Sequence, residues 1–116
     1  MLLTFCKAKI ANARVTQAEL YYEGSITLDE SIIQSAGILP GEKVEIFNVN
    51  NGARIETYVI AGKAGSGQVC LNGPAARTGY VGDKLIIVSY ALLTPDEARQ
   101  MKTKTVYLDD GNRIKA

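Results

Sequence analysis

The chain has 116 residues, enough for one domain around a single core, and its 13 basic and 12 acidic side chains leave a net charge of +1. So balanced a charge argues against a nucleic-acid or anionic-membrane surface. The chain has no histidine, which excludes the usual Ser-His and Cys-His designs. Tyrosine, lysine, a carboxylate or water must move any protons.

Leu2 to Ile10 reads as a strand, with Leu2, Cys6, Ala8 and Ile10 on one side and Lys7 and Lys9 on the other. Lys7 and Lys9 also end the apolar start of the chain before a signal-peptide core forms, so a cytoplasmic protein is expected. Leu20 to Asp29 favours β structure but is interrupted by Gly24-Ser25. Asp29 is placed to cap a short helix carrying Ile32, Ile33 and Ala36, with Gly37 as its stop. Val44 to Val49 alternates as a half-buried strand does, Asn50-Asn51-Gly52 signals a tight turn, and Ala53 to Ile60 returns as a second strand. Val69–Asn72 and Leu85–Leu93 are further strands, the latter too short to span a bilayer. Thr94-Pro95-Asp96-Glu97 is a capping box that opens a helix through about Met101. Thr105–Leu108 reads as a last strand, followed by a turn at Asp109–Asn112. Gly41-Glu42-Lys43-Val44 is echoed by Gly82-Asp83-Lys84-Leu85, a repeat that suits a pseudo-symmetric barrel.

Cys6 and Cys70 are the only cysteines. Without a ligand cluster they make no zinc site, and buried free thiols are expected. Gly24-Ser25 taken alone is a turn. Its chemistry is more specific where the turn is strained, because the Ser25 hydroxyl adjoins the Gly24 carbonyl and can attack it. The product is an ester, and β-elimination across it leaves a chain that begins with a pyruvoyl ketone. Arg54, Glu56 and Tyr58 share one strand face by alternation, with Thr57 on the other. On pattern alone Tyr58 is a packed aromatic, Arg54 and Lys9 are solvated strand charges, and Asn72-Gly73-Pro74 is a strand-to-helix turn with a capping residue.

Lys9, Tyr22-Glu23-Gly24-Ser25, Asn51-Gly52-Ala53-Arg54, Thr57-Tyr58 and Asn72-Gly73-Pro74-Ala75-Ala76, in this order and spacing, resemble the bacterial aspartate 1-decarboxylases. The resemblance runs to roughly Tyr90. It implies a six-stranded double-psi β-barrel with short helices, a single domain self-cleaved into residues 1–24 and 25–116. It also implies a pyruvoyl group made from Ser25, with neither metal nor pyridoxal phosphate. The implied reaction is decarboxylation of L-aspartate to β-alanine, which feeds pantothenate and coenzyme A synthesis. Tyr58 is then the proton donor, Thr57 and Asn72 support cleavage at Gly24, and Lys9, Arg54, Thr57, Gly73, Pro74 and Ala75 meet the substrate. A homotetramer is implied, and cleavage is either spontaneous or assisted by a helper protein. Two departures stand out: Pro74 replaces the commoner alanine and removes one N–H, and Ala11 stands where many members have histidine. Two other readings stay open from the residues: an uncleaved β-barrel binding module, and a pyruvoyl decarboxylase for another small amino acid.

Overall fold

Strand formers and turn residues alternate along the chain, and the computed structural model, which describes residues 1–115, is accordingly built mostly of strands. In order these are β1 (Leu3–Arg14), β2 (Gln17–Glu19), β3 (Ser25–Asp29), α1 (Glu30–Ala36), β4 (Lys43–Asn48) and β5 (Arg54–Gly62). They are followed by β6 (Val69–Asn72), a 3-10 turn (Gly73–Arg77), β7 (Lys84–Leu93), α2 (Pro95–Gln100) and β8 (Lys104–Tyr107). Eight strands rather than six form one sheet in the order β2-β6-β3-β5-β4-β7-β1-β8. The short β2, unsignalled by any apolar alternation, lies at one edge and the short β8 at the other.

The sheet wraps around one core. Ile10, Ile26, Val44, Val59, Leu71, Ile87 and Val106, from seven different strands, belong to one buried cluster with Ile32 and Ile33 of α1. A flat sheet could not bring β6 and β8, near its opposite ends, to the same cluster. Each fully buried Ile or Leu in it contributes about 1.5–3 kcal/mol of hydrophobic stabilisation. The Thr16 amide, just past β1, donates to the Val69 carbonyl of β6 and draws the two halves of the sheet together.

The two glycine-acid-lysine turns are structurally equivalent. Gly41 N–H donates to Val59 O and Val59 N–H donates back to Glu42 O, while Gly82 N–H donates to Val15 O and Val15 N–H donates back to Asp83 O. Each turn leads into one member of the antiparallel pair β4 and β7. The sequence echo is therefore an internal repeat of the architecture.

Local signals behave as their chemistry dictates. Asp29 accepts from Ser31 N at 2.8 Å to start α1, and Gly37 closes it in the left-handed region. Thr94 and Glu97 form both halves of the capping box of α2. One expectation fails at β1. A register shift between Cys6 and Ala8 makes Lys7 a bulged residue, so Cys6 pairs with Tyr90 while Ala8 pairs with Ser89. Cys6 therefore lies on the outer face opposite the buried Ala8 and Ile10, and Lys7 turns to Glu42 at 2.6 Å.

Candidate active site

The start of β3 builds the site. Leu20 to Gly24 is turn and coil, and strand pairing begins at Ser25, opposite Asn72 of β6. Directly paired residues on antiparallel strands share a face, and so do residues two apart on one strand. Ser25 and Thr27 of β3 therefore sit beside Cys70 and Asn72 of β6. The Ser25 side chain is fully buried, and Asn72 is 2 % exposed. Asn72 Nδ2 donates to Ser25 Oγ at 2.9 Å and to Thr27 Oγ1 at 2.8 Å. The Ser25 hydroxyl donates in turn to Glu23 O at 3.2 Å. Asn72 makes no side-chain cap for the turn that follows it, contrary to the sequence pattern, because its amide is committed to Ser25 and Thr27.

Gly73 lets two backbone segments meet. Its φ is +63°, and a Cβ placed on it would stand 2.5 Å from Tyr22 O and 2.9 Å from Gly24 N. Any side chain there would push against the Tyr22 carbonyl and the Gly24 backbone just ahead of the Gly24–Ser25 bond. Pro74 follows, its Cδ 3.4 Å from where a Cβ on Gly24 would stand, and both residues line a cleft of about 490 Å³. Gly24, Ile55, Glu56, Thr57, Tyr58, Pro74, Ala75 and Thr78 line this cleft.

Thr57 and Tyr58 both reach it although they lie on opposite faces of β5. No bulge brings them together, since the β4–β5 register runs unbroken from Lys43–Tyr58 to Phe47–Arg54. The cause is the strand edge. β3 pairs with β5 only from Ile26–Val59 onward. The edge of β5 before Val59 is thus uncovered beside Gly24, and both of its faces open there.

The two expected cations lie elsewhere. Arg54 is on the outer face of β5, its guanidinium 4.0 Å from the centre of the Phe47 ring. Lys9 is on β1, in a cross-strand row that runs Lys9–Val88–Glu45–Glu56 over β7 and β4 to β5. At the usual strand spacing this row places Lys9 roughly 14 Å from Glu56. Among the described residues neither Lys9 nor Arg54 takes part in an ion pair. Within one chain, the cleft is lined by a single charged group, the Glu56 carboxylate.

Thr27, Cys70 and Thr78 were not singled out from sequence. The i, i+2 spacing of Ser25 with Thr27 and of Cys70 with Asn72 was visible, but the pairing of β3 with β6 that makes four neighbours of them was not. Both cysteines are free thiols, with Cys70 buried and Cys6 partly exposed. Among the described residues no cluster of possible ligands could hold a metal ion, and no helix is long and apolar enough to cross a membrane.

A closed core inside a pseudo-symmetric wound sheet, with a buried serine at the head of one strand, defines a small double-psi β-barrel protein. A rationally designed double-psi barrel matches with a TM-score of 0.51 at 20 % identity, covering 68 % of this chain and 92 % of its own. A computationally designed one matches with a TM-score of 0.50 at 20 % identity, covering 75 % and 99 %. The chain belongs to the aspartate decarboxylase family, whose model matches residues 1–115. The aspartate 1-decarboxylase of Clostridium beijerinckii is 56 % identical over 99 % of this chain and 93 % of its own length. That of Salinibacter ruber is 54 % identical over 98 % and 78 %, and that of Lactiplantibacillus plantarum 55 % identical over 98 % and 88 %.

Proposed function

We propose that this chain carries out the aspartate decarboxylation of its family, giving β-alanine for pantothenate synthesis, with a pyruvoyl group made from its own Ser25. The observation that carries the reading is the buried Ser25 hydroxyl, held by Asn72 at 2.9 Å, immediately behind the Gly24 that lines the cleft. In the proposed maturation, Ser25 Oγ attacks the Gly24 carbonyl carbon, the Gly24–Ser25 C–N bond breaks, and the Ser25 nitrogen takes the proton. Loss of the Ser25 Cα proton then expels Gly24 as a carboxylate from the Cβ–Oγ bond. Water replaces the nitrogen, released as ammonia, to leave the ketone. The ketone supplies the electron sink that decarboxylation needs, without a bound cofactor.

The remaining roles follow position. Gly73 keeps the scissile segment against the turn, while Thr57 and Asn72 support cleavage from either side. Gly73, Pro74 and Ala75 form the wall for the substrate, where Pro74 offers no N–H and leaves Gly73 and Ala75 as donors. Tyr58, at the lip of the cleft, protonates the carbanion left by carbon dioxide. Lys9 and Arg54 recognise the carboxylates. An acidic substrate needs cations, and the cleft of one chain has none on its walls. A neighbouring copy that presents its outer face to the cleft supplies them, which favours a homotetramer.

Two measurements test the reading. The denatured mass of purified protein should resolve into residues 1–24 and 25–116, the larger piece blocked to Edman degradation by its ketone. If cleavage stalls in the pure protein and resumes with added cell extract, a helper is required. Fully active protein that remains one chain would overturn the pyruvoyl reading. Light scattering should report four chains, and a fully active monomer would overturn the shared site.

A further inference from the structure

Cys70 lies one alternation before Asn72, on the same face of β6 and directly opposite Thr27. It is 3 % exposed, and its thiol donates to Asn72 Oδ1 at 3.1 Å. We propose that Cys70 is a positioning residue for maturation: its S–H fixes the Asn72 carboxamide with the donor end toward Ser25. The inference rests on the self-cleavage proposed above.

A carboxamide has a donor end and an acceptor end, and half a turn exchanges them. The hydroxyls of Ser25 and Thr27 can each donate or accept, so either amide end finds a partner there, although the reversed amide would draw the Ser25 proton away from Glu23 O. The thiol does choose. It is a donor, and its sulfur is a poor acceptor for an N–H, so the reversed amide would bury an N–H against sulfur without a good partner. Burial, reinforced by the nearby Glu19 carboxylate, pushes the Cys70 thiol above its ordinary pKa and keeps the proton on sulfur at neutral pH.

The orientation matters in the second half of maturation. When the Cβ–Oγ bond breaks, negative charge develops on the oxygen that leaves with Gly24. An N–H already aimed at that oxygen stabilises the charge as it forms. A carbonyl oxygen in its place would repel it. The ester would then persist and be lost to water, leaving a Ser25 amine where the ketone should be.

The experiment compares Cys70→Ala, Cys70→Val and Cys70→Ser with the unaltered chain, each purified uncleaved and followed by denatured mass over time. Fragment 25–116 is scored for a ketone or a serine amine at its terminus. Cys70→Ala and Cys70→Val should mature roughly 3- to 10-fold more slowly, the effect of one neutral hydrogen bond. They should also carry a raised share of serine-terminated fragments. Cys70→Ser restores a donor and should return both quantities toward normal. A loss of packing alone would slow cleavage without shifting the ketone-to-serine ratio. The inference is overturned if Cys70→Ala or Cys70→Val keeps the normal rate and ratio, or if Cys70→Ser is as impaired as they are. If one apolar variant fails to fold, the comparison of the other with Cys70→Ser decides. Failure of the unaltered chain to cleave under any condition overturns the pyruvoyl reading instead, so the two outcomes are distinct.

Discussion

Ser25→Ala is expected to remain one uncut chain and to release no carbon dioxide from aspartate. The removed oxygen is the proposed nucleophile for the Gly24 carbonyl, and with it goes the only source of the ketone. The fold should survive. Alanine fits the fully buried site, but the Asn72 amide loses one of its two acceptors. An unsatisfied buried donor costs about 1–3 kcal/mol, a tolerable fraction of the stability of a domain this size. Circular dichroism should therefore look native, while denatured mass shows the uncut chain and an assay of labelled carbon dioxide stays at background. Cleavage at the same bond in the variant would remove Ser25 from the mechanism.

Tyr58→Phe separates maturation from turnover. Tyr58 is 38 % exposed at the open edge of β5, on the lip of the cleft rather than in the Ser25–Asn72 network. Cleavage should proceed at close to the normal rate, because every group bonded to Ser25 is unchanged. Turnover should fall by about 10²–10⁴-fold, the range for removal of one general acid. The loss should appear in kcat with little change in KM. Near-normal turnover in fully cleaved Tyr58→Phe would assign the proton transfer to another group.

What was legible in the sequence was whatever a few neighbouring residues decide. Asp29 before an apolar helix, the Thr94–Glu97 box and the Asn50–Gly52 turn all act within one segment, and each took its expected form. The faces of β1 were misassigned at one place because a bulge leaves no signature in apolar alternation. The network around Ser25 depends on β3 meeting β6, so it joins residues 47 positions apart. No local pattern encodes that meeting. Asn72 shows the conflict directly: its type and position fit a helix cap, yet strand alternation turns its side chain to Ser25. Arg54 and Lys9 were rightly placed on strands, but neither lines the cleft of its own chain.

The position of the proposed cut has a consequence for folding. The segment before Ser25 contains β1, an inner strand that pairs with β7 from Leu3 to Arg14 and with β8 from Ala8 to Ala11. Its Ala8, Ile10, Ala13 and Val15 are sealed in the core. Breaking the peptide bond before Ser25 therefore frees no piece of the molecule. It changes what kind of object the molecule is. Before the cut, the two parts find each other at the high local concentration set by a continuous chain. After it, the same native contacts hold a complex of two peptides, whose recovery from unfolding depends on how much of each is in solution. With the proposed cut, the continuous chain would be a template used once, and the mature protein would inherit a shape that its separate parts are poorly placed to find again.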